Sequence, residues 1–321
     1  MSTKTAQKPD SLITGEEPIA LLPQAPFDFR FSTRYYRARS SLPVGPGESL
    51  NENSLTLYVI IEGHPHRIQI NSTGSVDRPK LEVTWAAVKS GRSSGNPASS
   101  RAVATRLKRM FMLDLDLERF YQTFTRDRCV KGLATTFRGL KPVLTPTVFD
   151  AAIWAIVGQQ INLAFAQTLK NRLAQKYGHK IETQSGHCFL GPGPSHLARA
   201  RKSSLLKLQL STHKAEYILG LCQQIDSGKL DLDALCALPY EEALARLMEI
   251  RGIGTWSASY ILLRGAGALD ALPLGDAGLR RAIETRYKMP ARPSAEEITR
   301  CAERHRPYRS LYTLYLWRGL G

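Results

Sequence analysis

The hydrophobic positions of this chain change period once. Early on they alternate. Leu55-Thr-Leu57-Tyr-Val59 and Lys80-Leu81-Glu-Val83-Thr-Trp85 place apolar side chains at every second position, and His66-Arg-Ile68-Gln-Ile70 follows a Gly-His-Pro turn. Phe27-Asp-Phe29-Arg-Phe31 alternates in the same way. Strands of this length between turn-forming breaks predict an antiparallel sheet with one face covered. Residues 90–100, with Gly, Ser, Asn and Pro, read as a loop or an insertion. From Val103 to Thr123 the period lengthens: Leu107, Phe111, Leu115 and Phe120 fall at helical spacing and predict one helix.

After Lys141 the helical period holds to the end of the chain. Thr145-Pro146 predicts a helix start, with a capping hydroxyl and a proline at the first helical position. Phe149, Ala152, Ile153 and Ile156 form its apolar face. The face breaks at Gly158-Gln159-Gln160-Ile161-Asn162 and resumes at Phe165, Leu169 and Leu173, so a turn joins two helices and Asn162 can cap the second. Residues 181–212 read as loop plus short helix and contain two Lys/Arg-rich spots. Lys214 to Ile225 is amphipathic, 230–248 supplies one or two further helices, and 295–320 is helical with Ser294 and Glu297 as a capping box. Residues 1–23 lack periodicity and read as a flexible lead-in. The expected class is α+β: a flexible segment 1–23, an antiparallel sheet domain with helix over 24–140, and an all-α domain over 141–321.

Charge narrows the partner. Lys plus Arg number 44 against 28 Asp plus Glu, a net charge of +16, which suits a polyanion such as nucleic acid; a basic surface kept for solubility is the alternative. The five cysteines (129, 188, 222, 236, 301) are scattered without a Cys-x-x-Cys pair, which argues against a disulfide framework, a zinc site or an iron–sulfur cluster. No apolar run approaches the ~18 residues of a membrane span, and no secretory signal is evident. The expected location is with the genome: cytoplasm if bacterial, nucleus if eukaryotic.

The richest stretch is 247–276. Leu247 and Ile250 sit three apart, as do Ala258 and Ile261, so two short helices can pack across Arg251-Gly252-Ile-Gly254-Thr255. Gly252 and Gly254 free the backbone and allow close approach. The turn then offers bare N–H groups to a phosphate oxygen. Trp256 and Tyr260, four apart, share a helix face about opposite the packing face; they are either a stacking wall for a base or core aromatics. Asp276 follows Gly254 by 22 residues and precedes a helical stretch, so it can serve as an N-cap, a catalytic carboxylate, or both.

This stretch resembles the helix-hairpin-helix motif of the DNA glycosylase superfamily, in which a catalytic aspartate follows the hairpin by about twenty residues. Residues 147–178 and 247–318 are similar to the 3-methyladenine DNA glycosylase II family, and the resemblance covers most of 25–320. It implies that Asp276 stabilises the cationic sugar, and that Trp256, Tyr260 and Trp317 wall a pocket for a flipped alkylated purine. It implies too that the turn at Gln159 and Gln160 enters the minor groove, with Gln160 as plug, where a simple polar turn is the alternative. Gly252, Gly254 and Thr255 would meet the DNA backbone. The expected activity is hydrolysis of the N-glycosidic bond of 3-methyladenine or 7-methylguanine in double-stranded DNA by a monomer. Bifunctional relatives place a lysine where this chain has Trp256, so no strand cleavage is expected. No cofactor is expected beyond a monovalent cation on hairpin backbone carbonyls. A glycosylase for deaminated or other damaged bases, or a non-catalytic DNA-binding hairpin protein, are the competing readings.

Overall fold

The computed structural model describes residues 12–14, 17–39, 51–88, 96–183 and 186–320. Strands β1 (Leu12–Thr14) and β2 (Ile19–Leu21) both pair antiparallel with β5 (Leu81–Val88), which pairs with β4 (His64–Ser72), and β4 with β3 (Ser54–Ile61). Two pieces of the expected flexible lead-in are therefore sheet strands, held by backbone pairing that composition does not reveal. The register sets Leu57, Ile68 and Trp85 abreast, and likewise Leu55, Ile70 and Val83, all buried. That alternating face is covered by Val103, Leu107, Met110 and Phe111 of a helix over Ser100–Phe111. The loop expected at 90–100 lies partly outside the described residues; 96–99 carry no regular structure.

Phe27–Phe31 is not a strand. The segment leads into helix α1 (Phe29–Arg39), because Asp28 accepts from Phe31 N at 2.9 Å and Ser32 N bonds Asp28 O at 3.1 Å. Phe27 and Phe29 are both buried, so their spacing imitated a sheet face while straddling a helix start. The single helix expected over 103–123 is also two, α2 (Ser100–Phe111) and α3 (Glu118–Phe124). Met112 turns left-handed at φ 46°, and Asp116 accepts from Glu118 N at 2.9 Å, the local bonding with which short acids break helices. Helix α4 (Lys131–Thr136) follows; α3 and α4 contribute Phe120, Phe124 and Leu133 to a core shared with residues 272–316.

Helix α5 (Val148–Gly158) starts two residues later than expected. Its cap is Thr147, which exchanges bonds with Asp150 (3.0 and 3.1 Å), so Pro146 lies outside the first turn. Asn162 caps α6 (Leu163–Tyr177) as expected, accepting from Phe165 N at 2.8 Å. The all-α expectation fails at β6 (His179–Thr183) and β7 (Gly186–Leu190), an antiparallel pair whose Ile181 and Leu190 pack on Tyr58 and Val88 of the first sheet. Those contacts span more than ninety residues, out of reach of a local period.

The chain continues as α7 (Pro194–Ala198), α8 (Lys202–Leu206), α9 (Thr212–Asp226), α10 (Leu232–Cys236), α11 (Tyr240–Met248) and α12 (Thr255–Ile261). Helix α12 runs into a π-helical turn, Leu262–Ala266. Helices α13 (Ala277–Arg286), α14 (Ala295–Glu303) and α15 (Arg309–Arg318) complete the order; the last two make up the helical stretch expected over 295–320. Ser294 and Glu297 do form the capping box (3.2 and 2.8 Å). Two arginines of α2 join the sheet to the helices: Arg106 donates to Pro146 O at 2.5 Å, while Arg109 donates to Thr145 O, Pro146 O and Gly265 O. No helix among the described residues is long and apolar enough to cross a membrane.

Candidate active site

Leu247, Ile250, Ala258 and Ile261 are all buried in one core, so α11 and α12 form a hairpin packed through the pairs their spacing singled out. Its two glycines differ in cause. Gly252 has φ +92°, and a Cβ there would lie 2.2 Å from the Tyr217 ring, so only glycine fits. At Gly254, the exposed N-cap of α12, a Cβ would meet no protein atom within 4 Å. Thr255 beside it is exposed, its hydroxyl 3.7 Å from Met248 Sδ.

Asp276 caps α13, as its position predicts: Oδ1 accepts from Leu279 N at 2.7 Å. The same oxygen accepts from Trp317 Nε1 at 2.9 Å, and Oδ2 accepts from Trp256 Nε1 at 3.3 Å. Cap and indole fix Oδ1; Oδ2 carries one long bond and keeps its acceptor capacity. The rings of Trp256 and Tyr260 lie 5.5 Å apart at 32°. These four side chains line a single cleft of about 1030 Å³, with Gln159, Gln160 and Gly254 also in its wall. Residues 256, 260, 276 and 317, spread over sixty positions, thus converge on one space.

The turn between α5 and α6 forms the cleft's other lip. Gln160 is exposed at φ 56°. Gln159 is turned inward: its Nε2 donates to Gly252 O at 2.8 Å and Ser257 Oγ at 3.1 Å, tying this turn to the hairpin. From α9, Lys214 Nζ donates to Val157 O at 2.8 Å and secures the last turn of α5; burial lowers this amine's pKa. Leu163 and Phe165, just past the turn, are exposed.

Sequence reasoning missed several wall residues: Trp154, Lys141, Arg264, Leu314 and Gly278. Trp154 was hidden in an apolar helix, and Arg264 lies in the π-helical turn that no pattern announces. Lys141 is fully buried; burial lowers its pKa to about 8, with Asp114 and Asp116 pulling the other way. Its Nζ donates to Gln24 O at 2.7 Å and Leu113 O at 3.1 Å. Gly278 leaves room for the indole–carboxylate bond, since a Cβ would stand 3.2 Å from Asp276 Oδ1 and 3.3 Å from Trp317 Cδ1.

Residues 153–307 match the HhH-GPD superfamily of base excision DNA repair proteins. The chain is 35% identical over 210 residues to the DNA-3-methyladenine glycosylase of Bacillus subtilis, covering 65% of this chain and 69% of that protein. The chain belongs to the HhH-GPD superfamily, among the DNA-3-methyladenine glycosylases. It is 32% identical over 172 residues to DNA-3-methyladenine glycosylase 2 of Escherichia coli, covering 53% and 56% of the two chains. The 3-methyladenine DNA-glycosylase from Archaeoglobus fulgidus shares the fold, with a TM-score of 0.77 at 20% identity over 93% of this chain and 97% of that one. In this glycosylase fold the matched segment holds the hairpin, the Gln160 turn and Asp276, while Trp317 and the sheet lie outside it.

Proposed function

We propose that this glycosylase hydrolyses the N-glycosidic bond of alkylated purines such as 3-methyladenine and 7-methylguanine in double-stranded DNA, acts as a monomer and leaves an abasic site. The observation that carries the reading is the Asp276 carboxylate, anchored through Oδ1 and leaving Oδ2 with one long bond beside the Trp256–Tyr260 wall. A duplex buries the glycosidic bond, so the base is flipped into the cleft. An alkylated purine carries positive charge and gains from facing aromatic rings. As C1′–N breaks, its electron pair stays with the departing base and the sugar becomes cationic. Water oxygen then bonds C1′ and loses a proton to the carboxylate.

A carboxylate about 4 Å from that cation, at an effective dielectric of about 20, is worth roughly 4 kcal/mol, or about a thousandfold in rate. Hydrolysis without strand cleavage is supported by Trp256 standing where a lysine nucleophile is expected, and by Lys141, whose amine is held by two carbonyls. For a phosphate, Gly254 and the following N–H groups offer open backbone. A monovalent cation on the hairpin would rest on backbone carbonyls of the turn, each of which keeps a lone pair beside the hydrogen bond it accepts.

The test is Asp276→Asn, which keeps a capping oxygen. Release of bases from methylated duplex, followed by chromatography, should fall about a thousandfold while duplex binding persists. Unchanged release removes the mechanism. Release of hypoxanthine from DNA by the wild-type protein, without release of any alkylated base, would favour a deaminated substrate instead.

A further inference from the structure

The two Lys/Arg-rich spots of residues 181–212 have no part in the cleft. The structure shows where their charge goes. Between residues 163 and 218 there are nine Lys and Arg against two Asp and Glu; between 226 and 249 there are two against six. Charge kept for solubility alone would be mixed along the surface; here the signs are sorted by segment.

Five of those cations, Arg172 and Lys176 on α6 with Arg201, Lys202 and Lys207 at the ends of α8, lie on neighbouring surface that leads away from the cleft, while Lys214 is buried and takes no part. On α6, Phe165, Thr168, Arg172 and Lys176 recur every three or four residues, so one side of the helix runs away from the Gln160 turn. Arg172 Nη1 donates to Leu208 O at 3.3 Å and to Gln209 Oε1, and Lys176 Nζ to Ser204 O at 3.4 Å, which brings α8 and the loop after it alongside α6. Arg201, Lys202 and Lys207 are exposed at the two ends of α8. Lys202 pairs with Glu216 at 2.5 Å, and Glu216 also pairs with Arg251 of the hairpin turn at 3.1 Å. Two cations share that one carboxylate, so the join to the hairpin stays positive.

We propose that this face is a track for one arm of the duplex, continuing the DNA grip beyond the hairpin on a single side of the damaged base. The inference rests on the glycosylase reading for the placement of the base, but the charge pattern carries the track. From Phe165 to Lys176 is eleven residues, about 16 Å of helix, which matches roughly five base pairs. The contacts are to phosphate and carry no sequence preference. The exposed Leu163 and Phe165 lie where the arm meets the lesion, with apolar surface for a sugar edge or an unstacked base.

The experiment compares the wild-type protein with the triple variant Lys176→Gln/Arg201→Gln/Lys207→Gln on an undamaged 20-base-pair duplex, reading affinity by fluorescence anisotropy across salt concentrations. A control triple, Arg101→Gln/Lys108→Gln/Arg119→Gln, removes equal charge from exposed positions on α2 and α3. The track variant should lose about 2–3 from the slope of log K against log salt, near 0.9 per phosphate. The control should keep the wild-type slope, and single-turnover base release at saturating enzyme should be unchanged in the track variant. On a second duplex that carries one abasic site to fix the register, shortening the arm on one side below about five base pairs should weaken wild-type binding, and the track variant should be indifferent to that cut. An unchanged slope, or an equal loss in the control, overturns the proposal; the latter would show that only net charge matters. Should the triple variant fail to fold, the three single variants should each lower the slope by about 0.9, and flat slopes would be equally fatal. Because slope is read on undamaged DNA and release on methylated DNA, failure of the track and failure of the glycosylase reading are separable. Salt-insensitive DNA binding with capture of an acidic protein on this face would assign it to that partner and overturn the track.

Discussion

Trp317→Phe tests whether Oδ1 of Asp276 is an anchor. The substitution keeps an aromatic ring in the cleft wall and removes one donor, the indole N–H that lies 2.9 Å from the carboxylate. What remains on Oδ1 is the Leu279 N–H at 2.7 Å, and on Oδ2 the Trp256 N–H at 3.3 Å. A hydrogen bond to a charged group contributes about 1.5–3 kcal/mol. Trp317 and Asp276 are both half-buried, so the low end applies, and the retained cap limits the loss further. The expected effect is therefore about 1.5 kcal/mol on the barrier, a fall of about tenfold in single-turnover release of 7-methylguanine. It should appear in the rate at saturating enzyme more than in affinity for duplex. Thermal unfolding run in parallel separates site from scaffold. Two results would refute the argument: an unchanged rate with a lowered unfolding temperature, which would make the bond structural only, or a loss as large as that of Asp276→Asn, which would mean that the cap alone cannot hold the carboxylate.

Gly278→Ala should split activity from stability. Alanine favours the helix by about 1 kcal/mol, yet its Cβ would press on Asp276 Oδ1 at 3.2 Å and on the Trp317 ring; release should fall several-fold with no drop in unfolding temperature, and an unaltered rate would show that the neighbours yield freely. Away from the site, His305 is fully buried, stacked 4.2 Å from Tyr312, with Nε2 3.3 Å from Asp127 Oδ2. Burial lowers its pKa from 6.5 to about 4, against the pull of Asp127. A base whose folded pKa is depressed protonates first in the unfolded chain, so stability falls as pH drops below 6.5 and levels off near 4. Between pH 7 and pH 5 that amounts to about 2 kcal/mol, read as a shift in urea midpoint; His305→Gln should remove most of this slope, and a variant with the wild-type slope would assign it elsewhere.

Legibility followed the range of the forces involved. Strands β3 to β5 could be read because one covered face imposes a strict period of two. The same period misled at Phe27–Phe31, where Asp28 captures the backbone and starts a helix. Helix ends with side-chain caps, such as Asn162, Ser294 and Asp276, were visible in sequence, whereas the break at Met112 depends on a left-handed residue without a glycine to announce it. The strands β6 and β7 exist because Ile181 and Leu190 find Tyr58 and Val88, an encounter that only the folded chain specifies. In the cleft, Trp256, Tyr260 and Asp276 were legible through spacing. The sequence could mark Gln159 as belonging to the turn but not that its amide faces the hairpin, 93 residues away. Gly278 carried no signal, since its reason is a tryptophan 39 residues further on.

The cap that Asp276 forms and the catalytic role proposed for it would work as one device. An N-cap residue is fixed in extended backbone (φ −67°, ψ 122°) with one side-chain oxygen turned to the helix N–H groups. That constraint orients the second oxygen without any further element, and it draws on a helix N-terminus, where negative charge is favoured. The indoles add a coupling that a cap alone would lack. Trp256 and Trp317 are proposed to face the base, and both donate to this same carboxylate. A base that shifts either ring shifts the bond that aims Oδ2. Fit of the base and aim of the carboxylate are thus mechanically joined, so a poorly fitting normal base would be disfavoured at the chemical step as well as in binding. Discrimination then rests on the geometry of three side chains as well as on the depth of the cleft.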